Sequence, residues 1–481
     1  MSTSPELSVV IPTFNVGPWI RECLNSVLLD QSTPDHPVDM EVIVIDDQST
    51  DDTWAILQEV ASGDSRIHLV RGDGSGGGPA RNAGVALAHG EYLAFVDGDD
   101  LVPRGAYATM LASLRETGSD LAIGDFYKFW SNKVLQPSTN WRDLHTARTG
   151  VTIAEIPTLI RNRACWNKMF RLAAWREAQI EFPAAPRSND ILPMTRALLA
   201  ARTIDVLPRC VYLYRARPGS GSMTSAAGSL AGFASYLRQE AACARAMSSL
   251  REAEDLQLNY HYAVLRYDGW VHLEQFFATL ATQSIDESSP AVAEIRSIAD
   301  DLLTSVDRMH LRSLHTMQWW AWALFAQGAW SLVSEVVAAG GSNTTPRPDW
   351  FIRAGAALVG SPHVDAASVR KAIDTHVHRA IWRGRRAAFD DTTAAAVAKA
   401  GPALRGWYSD EFRAPPRTSR ARAQRALLAG DVIGLRQALR NGRPLAVAGY
   451  TNTQRTDILT FATRHFPRVA KLAVRMVRRS G

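Results

Sequence analysis

The sequence has few cysteines, and none of them lies in a pattern that binds metal. Its 481 residues include four cysteines, at positions 23, 165, 210 and 243, with no Cys-x-x-Cys pair and no histidine spacing that would complete a zinc site. This pattern excludes a zinc-finger type of domain and offers no disulfide framework. Free thiols in a reducing compartment are therefore expected.

Long apolar runs are also missing. No stretch reaches the roughly 18 apolar residues that a membrane-spanning helix needs, and residues 1–6 lack the basic and apolar regions of a signal peptide. We therefore expect a cytoplasmic protein, and peripheral contact with the inner face of the cell membrane stays open.

Neither sign of charge is scarce, because 53 Lys and Arg residues stand against 48 Asp and Glu residues, for a net charge of +5. This balance mildly favours anionic partners, such as a sugar nucleotide, an anionic polymer or a membrane surface, and gives no support for binding to nucleic acid. A hydrophobic content of 46% is typical of globular proteins. Since the length exceeds what one hydrophobic core normally supports, two or three domains are expected.

What the sequence does contain, over its first 125 residues, is an alternation of strand and helix signals. Four short apolar runs predict β-strands, and apolar residues at helical spacing predict the helices between them. This order is typical of an α/β fold with a parallel sheet, whose ligands bind beyond the carboxyl ends of the strands. The predicted strands are Leu7–Ile11, Met40–Ile45, Ile67–Val70 and Tyr92–Val96.

Polar side chains follow three of these strands. Thr13 and Asn15 follow the first, Asp46 and Asp47 the second, and the run Asp97-Gly98-Asp99-Asp100 the fourth. Three carboxylates at the end of a buried strand are costly unless a cation or ordered donors share the site. Such ligands favour Mg²⁺ or Mn²⁺, which commonly hold the phosphates of a substrate. Capping of the next helix is the alternative, but convergence on one sheet edge favours a nucleotide-diphosphate site.

A glycine-rich loop at residues 72–79 precedes a predicted helix at Ala80–Ala88. Its backbone N–H groups, with Gly76 as the candidate contact, could hold a phosphate, and a flexible loop is the alternative. It is not a P-loop, because no Lys-Ser or Lys-Thr follows, and it comes after the third strand, unlike a dinucleotide fingerprint. Arg81 can reach a base, ribose or diphosphate from the helix, or lie at the surface.

Taken together, these blocks resemble a family 2 glycosyltransferase. The matching segments, in the order of the family, are Ser8–Asn15, Glu41–Asp51, Ala80–Gly84 and Gly90–Asp100. The resemblance implies a GT-A fold, which is Rossmann-like, and a nucleotide-sugar donor, expected to be a UDP-sugar. It also implies a divalent metal, Mn²⁺ or Mg²⁺, and inversion at the anomeric carbon.

Carried over residue by residue, the resemblance assigns roles at the donor site. It implies that Asp97 and Asp99 bind the metal on the diphosphate. The residues that it implies for the nucleotide are Pro12, Thr13, Asn15, Asp46, Asp47, Gly76, Arg81 and Asp97. One departure is Gln48, which stands where the family often has a glycine. Because glycine suits an unusual backbone angle, the local turn is expected to differ here.

Inverting transfer also needs a general base near the acceptor hydroxyl. Family members that decorate cell-surface polymers such as teichoic acids have a Trp-Asn-Lys block, then Phe-Pro, then a Glu-Asp pair whose aspartate is the expected base. The similar segments here are residues 166–168, Phe182-Pro183 and Asn189-Asp190, with Asn189 in place of the glutamate. Asp190 is therefore the candidate base, although it is also a good N-cap for the helix that begins there.

The same resemblance supplies candidate contacts for the acceptor and the diphosphate. Trp166, Asn167 and Lys168 are the acceptor candidates, with Trp166 either stacking on a sugar or filling the core. Arg215 and Arg217 belong to a segment similar to the Tyr-x-Tyr-Arg segment of the family, and either could close over the diphosphate. The alternative there is an edge strand followed by a linker.

Three regions follow from this pattern: a catalytic domain at 1–225, an α-helical domain at 226–415 and a basic helical segment at 416–481. In residues 467–479, helical spacing separates basic from apolar side chains, which is typical of a helix on an anionic membrane. A helix docked on the protein with a basic exterior is the alternative.

The sequence thus predicts a metal-dependent inverting glycosyltransferase of the hexosyltransferase type. Its acceptor would be a hydroxyl of a cell-wall or surface glycan, or of a polyol-phosphate polymer. A nucleotidyltransferase acting on a sugar phosphate and a nucleotide-sugar-binding scaffold without turnover are the alternatives. The sugar, the acceptor and any homo-oligomer are not determined by the sequence.

Overall fold

A computed structural model of the chain describes residues 4–29, 31–32, 37–186, 188–217, 228–250, 253–280, 285–306, 316–340 and 348–372, and the single residues 402, 422 and 429. The chain divides into two compact units, 1–345 with 361–363, and 346–360 with 364–481. The boundary predicted at residue 225 lies inside the first unit. The basic helix predicted at 467–479 lies outside the described residues.

The first unit is built on a mixed sheet of nine strands. The strands β1 to β9 are Leu7–Thr13, Met40–Asp46, Ile67–Arg71, Tyr92–Phe95, Leu121–Phe129, Val134–Leu135, Arg148–Val151, Lys168–Arg171 and Ile204–Arg215. Their spatial order is β3-β2-β1-β4-β8-β5-β9-β7, and β6 pairs with β5 beside this path. Strands β1 and β2 are buried along their whole length, which explains their continuous apolar runs.

The four predicted strands are present, and β1 to β4 are parallel as expected. Beyond these four strands the sheet is mixed, because β8, which lies outside the region of that prediction, is antiparallel between β4 and β5. Strand β9 is not an edge strand, since it pairs with β5 on one side and β7 on the other. The sequence of a short strand gives little indication of which strands will be its neighbours in the sheet.

Helices cover the sheet, and the third of them begins earlier than predicted. The helices α1 to α6 are Gly17–Leu28, Thr53–Gly63, Gly77–Leu87, Ala106–Thr117, Leu172–Glu177 and Ile191–Ala200. Helix α3 thus includes the last two glycines of the loop, and Gly76 takes a φ of 99° just before it. Within α3, a Cβ on Gly84 would lie 2.4 Å from Val10 Cγ1, so glycine allows the close approach to β1.

The rest of the described chain is helical. In the first unit, α7 to α12 are Leu230–Met247, Glu254–Tyr262, Asp268–Leu280, Pro290–Ser305, Thr316–Ala326 and Trp330–Ala338, and in the second unit α13 and α14 are Pro348–Ala357 and Ala366–Ala372. Large side chains such as Trp270, Trp320 and Trp322 are buried here, as core residues would be. None of the helices that the structure describes is long and apolar enough to span a membrane.

Candidate active site

A cavity of about 520 Å³ opens where β1, β2, β4 and β9 end. Eight of the residues proposed from the sequence line it: Pro12, Thr13, Asp47, Gly76, Arg81, Asp97, Asp99 and Arg217. Asn15, Asp46 and Arg215 are not part of the cavity wall formed by the described residues. Of the residues predicted for the donor and the metal, the structure therefore places eight in the cavity wall and three outside it.

The two aspartates after β2 shape the cavity from different positions. Asp46 is fully buried, forms an ion pair with Arg71 and accepts a hydrogen bond from Thr13 Oγ1 at 3.2 Å. The Asp47 carboxylate accepts hydrogen bonds from the backbone N–H groups of Gly74 and Gly76, at 2.9 and 2.8 Å. Asp47 therefore holds the glycine loop against the end of β2, a role that its position in sequence did not reveal.

Asn15 and Arg215 also act on neighbouring loops. The Oδ1 atom of Asn15 accepts a hydrogen bond from Thr50 N at 2.8 Å, which fixes the turn after β2. Arg215 donates from Nε to the carbonyl oxygen of Asp99 at 2.7 Å and pairs with Glu22 at the same distance. Both side chains support the cavity without lining it.

Gln48 occupies a backbone conformation that suits glycine. Its φ is 64°, so the expectation that the turn would differ here was wrong, because glutamine adopts the positive φ in place of glycine. The long side chain lies along the glycine loop, because a Cβ on Gly74 would be 3.2 Å from its Cδ. The turn thus keeps the angle and gains a side chain that packs on the loop.

We expect Gln48→Val to lower the free energy of unfolding by about 1–2 kcal/mol, because a β-branched side chain is strained at positive φ. Gln48→Gly should not lower it, since glycine adopts this angle freely. Urea unfolding followed by tryptophan fluorescence would measure both, with Gln58→Val on an exposed position of α2 as the control. Equal stabilities for the valine variants at 48 and 58 would contradict this account.

The three carboxylates after β4 are held in different ways. Asp97 pairs with Arg81, and Asp99 pairs with Arg217. Asp100 is buried and accepts hydrogen bonds from Tyr212 Oη at 2.8 Å and from the backbone N–H of Arg215 at 2.6 Å. Burial raises the pKa of Asp100 well above its usual range, and the negative charges of Asp99 and Asp97 raise it further.

These contacts decide which carboxylates could hold a metal. All three carboxylates line the cavity, but the Asp100 carboxylate is held by Tyr212 and the backbone of Arg215 in β9, whereas those of Asp97 and Asp99 pair with arginine side chains. Among the described residues, no group of three or more His, Cys, Asp or Glu side chains could hold a metal by itself. Two carboxylates do fit an ion such as Mg²⁺, which typically takes one or two protein carboxylates together with substrate phosphates.

Arg81 connects the carboxylate loop to the loop of the candidate base. Its guanidinium is 4% exposed, pairs with Asp97 and donates from Nη1 to Asn189 Oδ1 at 3.1 Å. Cβ atoms built on Gly77 and Gly78 would lie 3.7 and 3.5 Å from Asn189 Nδ2, so α3 also packs closely on this loop. The planar donors of arginine suit such a bridge between two acceptors.

Asp190 occupies the position before α6 but does not cap it, since within the described residues its side chain makes no hydrogen bond to the first turn. Burial raises the pKa of Asp190 to about 6, although the positive charge of Arg81 lowers it. A carboxylate with no capping partner and a raised pKa is what a general base requires. The predicted cap hydrogen bond is not formed within the described residues, and the role of Asp190 as base stays a prediction.

The proposed acceptor contacts of Asn167 and Lys168 need correction, because both side chains lie inside the protein. Asn167 is fully buried and donates to the Gly124 carbonyl oxygen at 2.7 Å. Lys168 Nζ donates to Asn162 Oδ1 at 2.8 Å, and burial lowers the pKa of Lys168 to about 7. Trp166 stacks on Tyr212 with ring centroids 4.4 Å apart, so it packs beside the sheet core.

The remaining wall residues include two aromatic side chains, Phe14 and Tyr214, to which the sequence analysis gave no role. Phe14 is 57% exposed at the end of β1, which is unusual for a large apolar side chain beside a cavity. Tyr214 also lines the cavity, near the end of β9. The position of Phe14 between Thr13 and Asn15 was the available signal, because side chains at that strand end face the ligand.

Comparison with known proteins gives a family match for the sheet domain. Residues 8–176 match the family model described as Glycosyl transferase family 2. Glycosyltransferase GlyG of Streptococcus pneumoniae is 27% identical over 227 residues, which cover 44% of this chain and 72% of that protein. Glycosyltransferase GlyA of the same organism is 24% identical over 235 residues, covering 46% of this chain and 32% of that protein.

A relative from Staphylococcus aureus matches in sequence and in structure. Its poly(ribitol-phosphate) beta-N-acetylglucosaminyltransferase TarS is 29% identical over 276 residues, which cover 55% of this chain and 46% of that protein. The crystal structure of TarS 1-349 in complex with UDP-GlcNAc superposes with a TM-score of 0.54 and 21% identity, covering 70% of this chain and 92% of that one. The predicted fold class is thereby confirmed, while the chain spans less than half the length of full TarS and about a third of GlyA.

Proposed function

We propose that the protein, whose residues 8–176 match the family model described as Glycosyl transferase family 2, transfers a sugar from a nucleotide-diphosphate sugar to a hydroxyl of a surface glycan or polyol-phosphate polymer. The observation that carries the proposal is the cavity at the strand ends, whose wall combines an exposed aromatic ring, a glycine-rich helix start and the carboxylates of Asp97 and Asp99. The uncommitted Asp190 carboxylate nearby supplies the base that transfer needs.

The cavity can recognise a nucleotide through complementary chemistry at its two ends. Phe14 offers an exposed ring on which a nucleobase can stack. The start of α3 offers backbone N–H groups and the positive end of the helix dipole to phosphate oxygens. Arg217, which lines the cavity, adds a guanidinium suited to a diphosphate. By similarity to TarS, the proposed donor is a UDP-sugar.

We expect Phe14→Ala to raise the KM for the donor about ten-fold and to leave kcat nearly unchanged, because base stacking on an aromatic ring contributes to donor binding. Phe14→Tyr should preserve the KM. Initial rates over a range of donor concentrations would test this, with Leu29→Ala, an exposed apolar residue elsewhere, as the matched control. A ten-fold fall in kcat at constant KM would contradict the stacking role.

Asp97 and Asp99 are the proposed holders of a divalent cation, Mn²⁺ or Mg²⁺. When bound, such an ion would supply positive charge that stabilises the leaving nucleotide diphosphate. The partners of the two carboxylates are now Arg81 and Arg217. Phosphate oxygens would give Arg217 an alternative anionic partner when donor binds, since Arg217 already lines the cavity.

Asp190 is the proposed general base. Its carboxylate accepts the proton of the acceptor hydroxyl as that oxygen bonds to the anomeric carbon of the sugar. The bond from that carbon to the diphosphate oxygen breaks on the opposite face, which inverts the configuration. Arg81 links the loop of Asp190 to the carboxylate loop, so the base and the donor are held by one buried side chain.

We expect kcat to rise about ten-fold per pH unit below pH 6 and to level above it, because Asp190, with a pKa of about 6, accepts a proton only when ionised. The charged groups that affect this pKa are Arg81, Asp97 and Asp268. A pH–rate profile from pH 4.5 to 8 at saturating donor would measure this rise in kcat and the plateau above it. A profile that is flat down to pH 5 would contradict the assignment.

The deciding experiment is an assay of nucleotide diphosphate release against a panel of nucleotide sugars, with a polyol-phosphate polymer or surface glycan as acceptor. The proposal expects release that depends on the acceptor and on Mn²⁺ or Mg²⁺, and that EDTA abolishes. Release of pyrophosphate instead would establish a nucleotidyltransferase. Donor binding without any release, across the panel and with both acceptors, would establish a binding scaffold.

A further inference from the structure

The loop that carries the candidate base touches the helical part of the first unit. Ser188 lies two residues before Asp190, and its Oγ is 3.3 Å from Nε2 of His272 in α9. The His272 side chain is buried, and the two residues are 84 positions apart in the chain. A residue far outside the matched family segment is thus in direct contact with the loop of the base.

The contacts of His272 define the tautomer of its neutral ring. Its Nδ1 lies 2.9 Å from the backbone carbonyl oxygen of Asp268. Because a carbonyl oxygen only accepts, Nδ1 carries the proton and donates it, and Nε2 of the neutral ring is left as an acceptor. The hydroxyl of Ser188 therefore donates to Nε2. Stacking on Tyr236, with ring centroids 3.8 Å apart and planes at 13°, fixes the orientation of the ring.

Ser188 needs such a partner because its backbone is strained. Its φ is 54°, in the left-handed region that residues other than glycine rarely adopt. Strained residues of this kind persist only where the surroundings hold them, and they concentrate at functional sites. The direction in which the chain leaves Ser188 determines where Asn189 and Asp190 point.

Helix α9 is itself tied to the sheet domain by an ion pair with the buried Arg163. Arg163 is buried and pairs through Nη2 with Asp268 at 2.7 Å and through Nη1 with Glu240 of α7 at 2.6 Å. Tyr260 Oη donates to the Glu240 carbonyl oxygen at 2.9 Å. Arg163 and Glu240 are a buried pair, and the same guanidinium holds the half-exposed Asp268 of α9, so His272 meets Ser188 from a fixed position.

From these contacts we infer that His272 is a positioning residue for the transfer reaction, which acts through Ser188 to aim the Asp190 carboxylate at the acceptor hydroxyl. The inference rests on the proposed function and assigns to α7–α9 a part in the active site. The described part of the helical region would then position the general base, in addition to any contact that it makes with partners.

Two substitutions of the same residue separate this role from simple packing. In His272→Gln, the amide reaches the position of Nε2 and can still accept from Ser188. In His272→Asn, the shorter amide reaches only the position of Nδ1, so the contact to Asp268 is kept and the contact to Ser188 is lost. Ser188→Ala removes the same hydrogen bond from the other side.

The test uses the full chain and two measurements. We expect His272→Asn and Ser188→Ala to lower kcat about three- to ten-fold at unchanged donor KM, which is the worth of one neutral hydrogen bond. His272→Gln should recover kcat to within about two-fold of wild type on the same basis. Hydrogen–deuterium exchange of residues 188–191 should accelerate in His272→Asn and not in His272→Gln. As a control, His363→Asn breaks the contact of another buried histidine with Asp300 Oδ1 and should lower stability without changing kcat.

Equal kcat and equal exchange in His272→Asn and His272→Gln would overturn the inference. Failure of the proposed function is a separate result, because wild-type protein would then release no nucleotide diphosphate from any donor. In that case the exchange measurement still decides whether His272 holds the loop. Faster exchange in His272→Asn alone supports the coupling, and unchanged exchange overturns it.

Discussion

Asp190→Asn is expected to lower kcat by about 10²- to 10⁴-fold, because the amide cannot accept the proton of the acceptor hydroxyl. The two side chains have nearly the same shape, and the Asp190 carboxylate makes no cap hydrogen bond to α6 within the described residues, so the fold should tolerate the change. Donor affinity should be unaltered, since Asp190 does not line the described wall of the donor cavity.

The measurement combines steady-state rates with direct titration of the nucleotide. Asp205→Asn is the matched control, because Asp205 is a buried aspartate of the same domain that accepts hydrogen bonds from Ser113, Ser119 and the Gly150 backbone. Asp205→Asn should lower the melting temperature and leave kcat unchanged. Wild-type kcat in Asp190→Asn would remove Asp190 from the mechanism and leave the donor site intact.

Asp99→Asn should abolish most of the activity, with a loss of about 10²- to 10³-fold, because one of two proposed metal ligands becomes a neutral amide. The substitution also removes the anionic partner of Arg217. Affinity for Mn²⁺ in the presence of nucleotide diphosphate should fall in parallel, since charge on the ligands contributes to binding of a hard cation.

Electron paramagnetic resonance of Mn²⁺ measures this affinity without any turnover, so the metal site is tested independently of the acceptor. Asp64→Asn, which breaks an ion pair with Arg66 away from the cavity, serves as the control. Unchanged Mn²⁺ binding in Asp99→Asn together with the loss of activity would assign Asp99 to the arginine contact and not to a metal. Unchanged binding and activity would contradict both roles.

Much of the sheet domain could be predicted because its signals are local. Apolar runs define β1 to β4, and parallel strands bring their polar termini to one edge, which is why Thr13, Asp47 and Asp97 meet at one cavity. The placement of β8 depends on pairing with strands distant in sequence, so no local pattern reports it.

The finer division of roles in the site could not be predicted for a similar reason. Whether an aspartate faces a ligand or a loop depends on which donors the tertiary structure brings to it, as Asp47 and Asp100 show. The burial of Lys168 depends on the strand pairs around β8. The contact between Ser188 and His272 joins segments that no family motif connects.

Because Asp100 is held by residues of β9, the carboxylate loop can take its final shape only late in the synthesis of the chain. The ribosome synthesises the chain from its N-terminus, and the N-terminal segments begin to fold before the later ones have been synthesised. The carboxylate loop is complete only when Tyr212 and the backbone of Arg215 have emerged to bind Asp100. A nascent chain that ends before β9 therefore carries the first four strands and every acidic residue of the loop, yet lacks the partners that shape it.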